Sequence, residues 1–547
     1  MIISASIEEK SFGDKLLFKD ASFFVDDGEK VGVIGRNGEG KTTLFRILMG
    51  EDTDFQGELV VGKGNAVVAT RQEHHGFEDL PVLEYILRDL PKYSKLKHVL
   101  DTYPETMGDN MRLIHEYSEA LEQFDTLGYY SIENEVEKIL NSFQLGDRVN
   151  DTLGSFSGGQ KRLIEVAKVM LSKAHIALID EPTNHMDYVA KDKFLQWMIS
   201  AKEAMLVITH DRDVLENVDR ILEVKDQKIL SYKGNYKQYL KQNSSSTGSK
   251  MNEYELTQRR IVNLKAKVIE YQRYKEKSRH PSTIQRFKRL EQQSREELAQ
   301  LEKTEKPTFW VDRESVQDMG LKTGEQYQKY KAKNIRLSGV TGEEGFGRLL
   351  VDTRDLSLGY DQPLFRKISF QIREGEVVEL RGRNGTGKTT LVKTLLSTVT
   401  GLPFSATVYD GVIDIDKKIR VGVYEQEAPK EMLKMTLAGA IEHIYISRGR
   451  KIGDTKIRQL MNDYLFTAGD ANIPVSQLSG GQKARLQLIS MLADEPSLLI
   501  LDEPTNHLDL PSIEELEQAL ERYSGAVLYI SHDTYFQKHL GGTVVQL

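Results

Sequence analysis

The chain repeats itself, and that repetition limits its possible folds more than any other feature of the sequence. Gly35-Arg36-Asn37-Gly38-Glu39-Gly40-Lys41-Thr42-Thr43 returns as Gly382-Arg383-Asn384-Gly385-Thr386-Gly387-Lys388-Thr389-Thr390. Ser157-Gly158-Gly159-Gln160 returns as Ser479-Gly480-Gly481-Gln482, and Asp180-Glu181-Pro182-Thr183-Asn184-His185 as Asp502-Glu503-Pro504-Thr505-Asn506-His507. Thr209-His210-Asp211 is matched by Ser531-His532-Asp533. The Ser of the second motif precedes the Glu of the third by 24 residues in both halves, and that Glu precedes the later His by 29 in both. Four motifs at matched intervals mean a duplicated domain. The halves differ where Gln72 and Gln426 lead to Ser157 and Ser479, by 85 residues against 53. The surplus is expected around 88–130, where Leu113, Tyr117, Leu121 and Phe124 have helical spacing, as a small helical arm or an enlarged helical subdomain.

Each glycine-rich motif follows an apolar strand, Val31–Ile34 or Val377–Leu380, and opens a helix-compatible stretch. This is the context a phosphate-binding loop needs. Glycines let backbone N–H groups turn inward, and the helix N-terminus adds its dipole. Lys41 and Lys388 are expected on the β- and γ-phosphates, and Thr42 and Thr389 on Mg²⁺. Asp180 and Asp502 end apolar runs suited to central parallel strands, with the carboxylates expected to hold Mg²⁺ through water. Glu181 and Glu503 stand beside them as general bases, and His210 and His532 as hydrogen-bond partners of the γ-phosphate. Gln72 and Gln426 are placed for a metal or water contact. Phe12 and Tyr360 are candidates to stack on adenine, with Phe18 a rival for the first. The fold class is therefore α/β, two P-loop nucleotide-binding domains in tandem.

The first domain is placed at 1–245, an interdomain linker at 246–348 and the second domain at 349–547. Ser244-Ser245-Ser246-Thr247-Gly248-Ser249 reads as a break between domain and linker. Beyond it, Tyr254, Ile261, Leu264, Val268 and Tyr271 form one apolar seam, and Ile284, Phe287, Leu290, Ser294, Leu298 and Leu301 another. An antiparallel helical hairpin over about 250–305, turning near Pro281, accounts for both. Residues 271–290 hold Arg273, Lys275, Lys277, Arg279, Arg286, Lys288 and Arg289 against Glu276 alone. With −8 on the whole chain and +6 on this tip, the rest carries −14. A basic tip on an acidic body suits contact with a phosphate backbone, so these seven side chains are the candidates for RNA binding. Phe309-Trp310-Val311 is read as docking the linker on a cassette. No apolar run reaches the eighteen or so residues of a membrane helix. Met1–Ala5 runs into strand-like sequence with no signal-peptide pattern, and there is no cysteine, so a cytoplasmic location is expected.

Two cassettes with Ser-Gly-Gly-Gln, Glu-Pro-Thr-Asn-His after the acidic strand and a charged hairpin between them resemble the ABC-F family of translation factors over essentially the whole chain. Met186 departs from the leucine the second half keeps as Leu508. The resemblance implies that Ser157–Gln160 and Ser479–Gln482 each meet the γ-phosphate bound by the opposite cassette, so that one polypeptide closes on two ATP molecules as a monomer. It implies a bacterial protein on the E site of the 70S ribosome, its hairpin reaching rRNA and the P-site tRNA near the peptidyl-transferase centre, with neither DNA nor membrane as partner. The short tip favours a factor relieving stalled ribosomes over one protecting them from antibiotics. A different class, the detached ATPase subunit of a transporter, predicts a membrane partner and no dependence on the ribosome. Zero cysteine excludes the iron–sulfur recycling ATPases and the zinc-bearing DNA-repair relatives.

Overall fold

The structure, a computed structural model, describes residues 1–301 and 347–547 except 14, 63, 72, 73, 109, 185, 278, 279, 402, 425–428, 430, 465, 467, 479, 507 and 522. Two compact units emerge: Met1–Tyr236 with Asn334–Leu547, and Lys237–Lys333.

The first unit holds both cassettes. In the first cassette β1 (Ile3–Phe12) lies between β2 (Lys15–Val25) and β4 (Gln56–Val61) in an antiparallel sheet. A second sheet has the order β5 (Val67–Ala69), β6 (Ile176–Asp180), β7 (Ala204–Ile208), β3 (Lys30–Gly35), β8 (Arg220–Lys225) and β9 (Lys228–Lys233). Its pairs are parallel except β8 with β9. Its central strands β3, β6 and β7 are buried throughout, which is why they read as continuous apolar runs and not as alternation. Ten helices are labelled here: α1 (Lys41–Leu48), α2 (Val82–Asp89), α3 (Tyr93–Thr106), α4 (Met111–Thr126), α5 (Ile132–Ser142), α6 (Gly158–Leu171), α7 (Tyr188–Ser200), α8 (Arg212–Leu215), α9 (Tyr236–Lys277) and α10 (Pro281–Leu301).

The second cassette repeats the plan. An antiparallel sheet has the order β11 (Ile368–Arg373), β10 (Leu349–Gly359), β13 (Thr407–Ile415). A parallel sheet follows in the order β14 (Val421–Tyr424), β15 (Leu498–Asp502), β16 (Ala526–Ile530), β12 (Val377–Arg381), β17 (Thr543–Gln546). One apolar cluster fills the space between the two sheets of each cassette, and another lies under its helices. Each large side chain buried there (Val, Leu, Ile, Phe or Met) contributes about 1.5–3 kcal/mol.

The surplus of the first half forms α3 and α4, seated on the helical cluster through Leu96, Ala120 and Phe124. Rings lock their base, with the Tyr93 and Phe124 centroids 5.3 and 5.4 Å from that of Tyr129.

In the second unit the expected break at 244–249 does not occur, because α9 runs unbroken from Tyr236 to Lys277. Four serines, a threonine and a glycine cost roughly 3–4 kcal/mol of helix propensity against alanine. Fixed points on either side carry the helix through: Tyr239 and Leu240 are buried before the stretch, and Ile261, Leu264 and Val268 after it. Phe309–Val311 lies outside the described residues.

Candidate active sites and the hairpin tip

Each P-loop turns on a glycine that no other residue could replace cheaply. Gly40 and Gly387 cap their helices at φ 103° and 96°, and a Cβ there would meet the Phe18 or Phe365 ring at 3.0 Å. Phe18 is fully buried as that support, which removes it as a rival for adenine stacking, whereas Phe12 is 65% exposed at the rim of the first site. Tyr360 is half exposed, and its carbonyl accepts from the Tyr409 hydroxyl.

Both P-loop lysines fold back into their own loops. Lys41 Nζ donates to the Gly35 and Arg36 carbonyls at 2.5 and 3.2 Å, and Lys388 Nζ to those of Gly382 and Arg383 at 2.7 and 2.9 Å. Burial lowers both lysines from their usual range, and anionic neighbours led by Glu181 and Glu503 oppose it. The Arg36 N–H donates to Glu39, whose carboxyl is pushed up to about 7, chiefly by burial. Thr386, its counterpart, donates to the Arg383 carbonyl. Thr42 Oγ1 donates to Asp180 at 3.3 Å, and Thr389 hydrogen-bonds Asp502. Hydroxyl beside carboxylate is a hard-oxygen donor pair that fits Mg²⁺ holding several of its own waters. Thr43 lines the first-site cavity, whereas Thr390 is buried. Gln72 and Gln426 lie outside the described residues.

The chain bends sharply at the two glutamates. Glu181 and Glu503 take φ 47° and 48°, a left-handed backbone that non-glycine residues hold only under constraint. The constraint is a hydrogen bond from each Glu N–H to the end of the next strand, Ile208 O at 2.8 Å and Ile530 O at 2.9 Å. The bend sets each carboxylate 3.3 Å from its histidine Nε2, His210 or His532. This approach lacks hydrogen-bond geometry, so both ring nitrogens of buried His210 stay unpartnered beside the cavity, as does His532 Nε2. Burial drives both histidines down, His532 to about 4, so each is a neutral imidazole at pH 7. Burial, reinforced by the neighbouring aspartate, pushes Glu181 up to about 8 and Glu503 to about 7. A base poised near the working pH is well matched to taking a proton from water.

Those raised values link to stability. A carboxyl held neutral in the fold but ionised in the unfolded chain destabilises the fold as pH climbs from the unfolded value to the folded one. The Glu181→Gln, Glu503→Gln protein escapes that loss. Its melting temperature should match the wild type near pH 4.5 and exceed it by a margin growing up to about pH 8. A constant margin across that range would count against the raised values.

The first-site cavity of about 720 Å³ joins Phe12 and the P-loop to Arg162, Asp180, Glu181, Asn184 and His210. A second, of about 40 Å³, is lined from both cassettes and includes Glu181, His210, Glu503 and His532. Aspartates that the sequence analysis did not single out cross this junction. Asp187 accepts from Arg383 Nε and the Asn384 N–H, both at 3.2 Å, and Asp509 accepts from the Asn37 N–H at 3.4 Å. They stand six residues beyond Glu181 and Glu503, so the repeat itself was the signal that could have found them.

Ser157 caps α6 in a capping box, its hydroxyl accepting from the Gln160 N–H while its own N–H donates to the Gln160 side chain. Gln482 donates to Asp470 at 3.0 Å, so both signature glutamines hold structure. Ser479 lies outside the described residues, and its helix begins at Gly480.

On the hairpin, Arg273, Arg286, Lys288 and Arg289 are exposed. Lys275 is committed elsewhere. Its Nζ lies 2.7 Å from Glu291, which also accepts from Gln272 and Arg295, so this carboxylate binds α9 to α10. Glu291 falls one residue past the stretch counted as basic. The Phe287 ring packs between the helices, 5.2 Å from Tyr274 and 6.1 Å from Tyr271. Arg279 and the Lys277 side chain are outside the described residues.

The ABC transporter family pattern matches residues 18–184 and 365–506. An uncharacterised ABC transporter ATP-binding protein of Bacillus subtilis, YfmM, is 30% identical over 98% of this chain and 96% of its own length. The energy-dependent translational throttle protein EttA of Mycobacterium tuberculosis is 28% identical over 96% of this chain and 88% of its own. ABC transporter F family member 2 of Arabidopsis thaliana is 29% identical over 98% and 75%. The solved RNase-L inhibitor shares the tandem fold at a TM-score of 0.54 and 17% identity, over 99% of this chain and 87% of that one. The chain belongs to the ATP-binding-cassette ATPases, in the F family. Among the described residues no helix is long and apolar enough to cross a membrane.

Proposed function

We propose that this chain is a cytoplasmic, ribosome-associated ATPase acting as a translation factor, with two composite ATP sites in one polypeptide. The carrying observation is the pairing of two intact Glu–His sites with a hairpin that exposes Arg273, Arg286, Lys288 and Arg289. The relative named a translational throttle supports the ribosome as the target. Thr42 with Asp180, and Thr389 with Asp502, would hold Mg²⁺, which neutralises phosphate charge. Glu181 or Glu503 takes a proton from water while the water oxygen attacks the γ-phosphorus. The bond to the bridging oxygen breaks, leaving ADP and phosphate, and the neutral histidine donates a hydrogen bond to a γ-phosphate oxygen. Each phosphate is completed by the opposite signature helix, so ATP closes the cassettes and hydrolysis releases them. In the closed state the chain occupies the E site of the 70S ribosome and the tip meets rRNA and the P-site tRNA, relieving stalled ribosomes.

The test is sedimentation of Glu181→Gln, Glu503→Gln with ribosomes and ATP. Stable co-sedimentation is expected, dependent on ATP and lost progressively with salt. A protein that binds ATP yet stays in the supernatant would overturn the ribosomal target and redirect the search to a membrane partner.

A further inference from the structure

Behind the first site lies a group of charges that hydrolysis does not use. Glu165, on α6, is fully buried. Its Oε2 accepts from the Arg71 backbone N–H and from Lys168 Nζ, both at 2.7 Å. Its Oε1 lies 3.1 Å from His74 Nε2 and accepts from the Tyr85 hydroxyl. Asp89 completes the group, receiving Lys168 Nζ at 3.1 Å and the Arg71 guanidinium at 2.5 Å. A carboxylate without water costs several kcal/mol unless its lone pairs are filled, and here all the filling groups are supplied. Three of its four partners come from the segment between β5 and the end of α2, so one side chain on α6 straps that segment down. Directly before Arg71, Thr70 Oγ1 accepts from the Asp180 N–H at 2.9 Å, which ties the segment to the first site.

The second cassette is built differently. The matched signature interval sets Gln487 and Ser490 at the places of Glu165 and Lys168. Both line a cavity of about 230 Å³ beside β14, together with Met432 and Arg448. An uncharged pair, its Ser490 hydroxyl accepting from Arg448 at 3.2 Å, stands where the first cassette has a buried ionic clamp.

We propose that Glu165 is a positioning residue for ATP hydrolysis at the first site: by fixing the Arg71 N–H to α6 it holds the strand end at which Thr70 accepts from the Asp180 N–H, and so makes the two sites unequal. The inference rests on hydrolysis by Glu181 and Glu503 as assigned above.

The test converts the clamp to its second-cassette counterpart, Glu165→Gln with Lys168→Ser. This removes both charges together and strands neither in the core. Amide exchange around residue 71 is measured first and needs no activity; it should accelerate at least tenfold while the melting temperature holds. ATP turnover is then measured in full-length Glu503→Gln, where only the first site works, and in Glu181→Gln, where only the second does. In the first background kcat should fall about tenfold with KM within twofold, since small misplacements of positioning groups cost rate. In the second background kcat should stay within twofold. Unchanged exchange at residue 71, or accelerated exchange with unchanged first-site kcat, overturns the proposal. Equal losses in both backgrounds with a lowered melting temperature also overturn it, marking Glu165 as a packing element. Parents that bind ATP without hydrolysing it would instead remove the assignment of the two glutamates, while the exchange result still decides the clamp.

Discussion

Replacing Glu181 and Glu503 together with glutamine should lower ATP turnover by about 10²–10⁴-fold while leaving ATP binding within severalfold of wild type. Glutamine keeps the volume and the backbone bond to Ile208 or Ile530 that sets the bend. It cannot accept a proton from water. Nor does it change the P-loop contacts, since Lys41 and Lys388 rest on their own loop carbonyls. The measurement is phosphate release against binding of a fluorescent ATP analogue. Turnover persisting above a tenth of wild type would mean that another group activates the water. Loss of binding along with turnover would mean that the substitution disturbs the bend.

The second large effect concerns the junction of the cassettes. Arg212 on α8, two residues past His210, donates to Glu517 of the second cassette at 3.1 Å, with 2% and 7% side-chain exposure. Around it Lys191 pairs with Asp211 and Asp213, Asp213 accepts from the Thr534 hydroxyl, and the Tyr535 ring lies 5.4 Å from the Arg212 guanidinium. Glu517→Leu leaves a buried guanidinium without its carboxylate and should cost about 3–5 kcal/mol at this junction. Arg212→Leu should cost a similar amount for the converse reason. The double substitution should recover most of either loss, because two apolar chains of similar volume replace a pair whose desolvation cost rivals its attraction. Denaturant titration of the three variants measures the cycle. Additive losses would show that the two side chains act independently.

What the sequence determined by itself is the part written in local chemistry and repetition. Strands β3, β6 and β7 were legible because full burial demands unbroken apolar runs. The P-loops were legible because only glycine tolerates the turn at 40 and 387. The turn near Pro281 was legible too, because proline starts a helix and cannot continue one. Tertiary structure decided the rest, for physical reasons. Propensity at 244–249 pointed to a break, yet anchoring on both sides outweighed a few kcal/mol of local preference. Phe12 and Phe18 are chemically identical in sequence, and only packing under Gly40 made one a support and left the other at the site. The basic tally of the tip missed that Lys275 is spent on Glu291, since pairing across two helices has no signature along the chain. Asp187, Arg212 and Glu165 act through partners 94 to 305 residues away, and such distances close only when the chain folds.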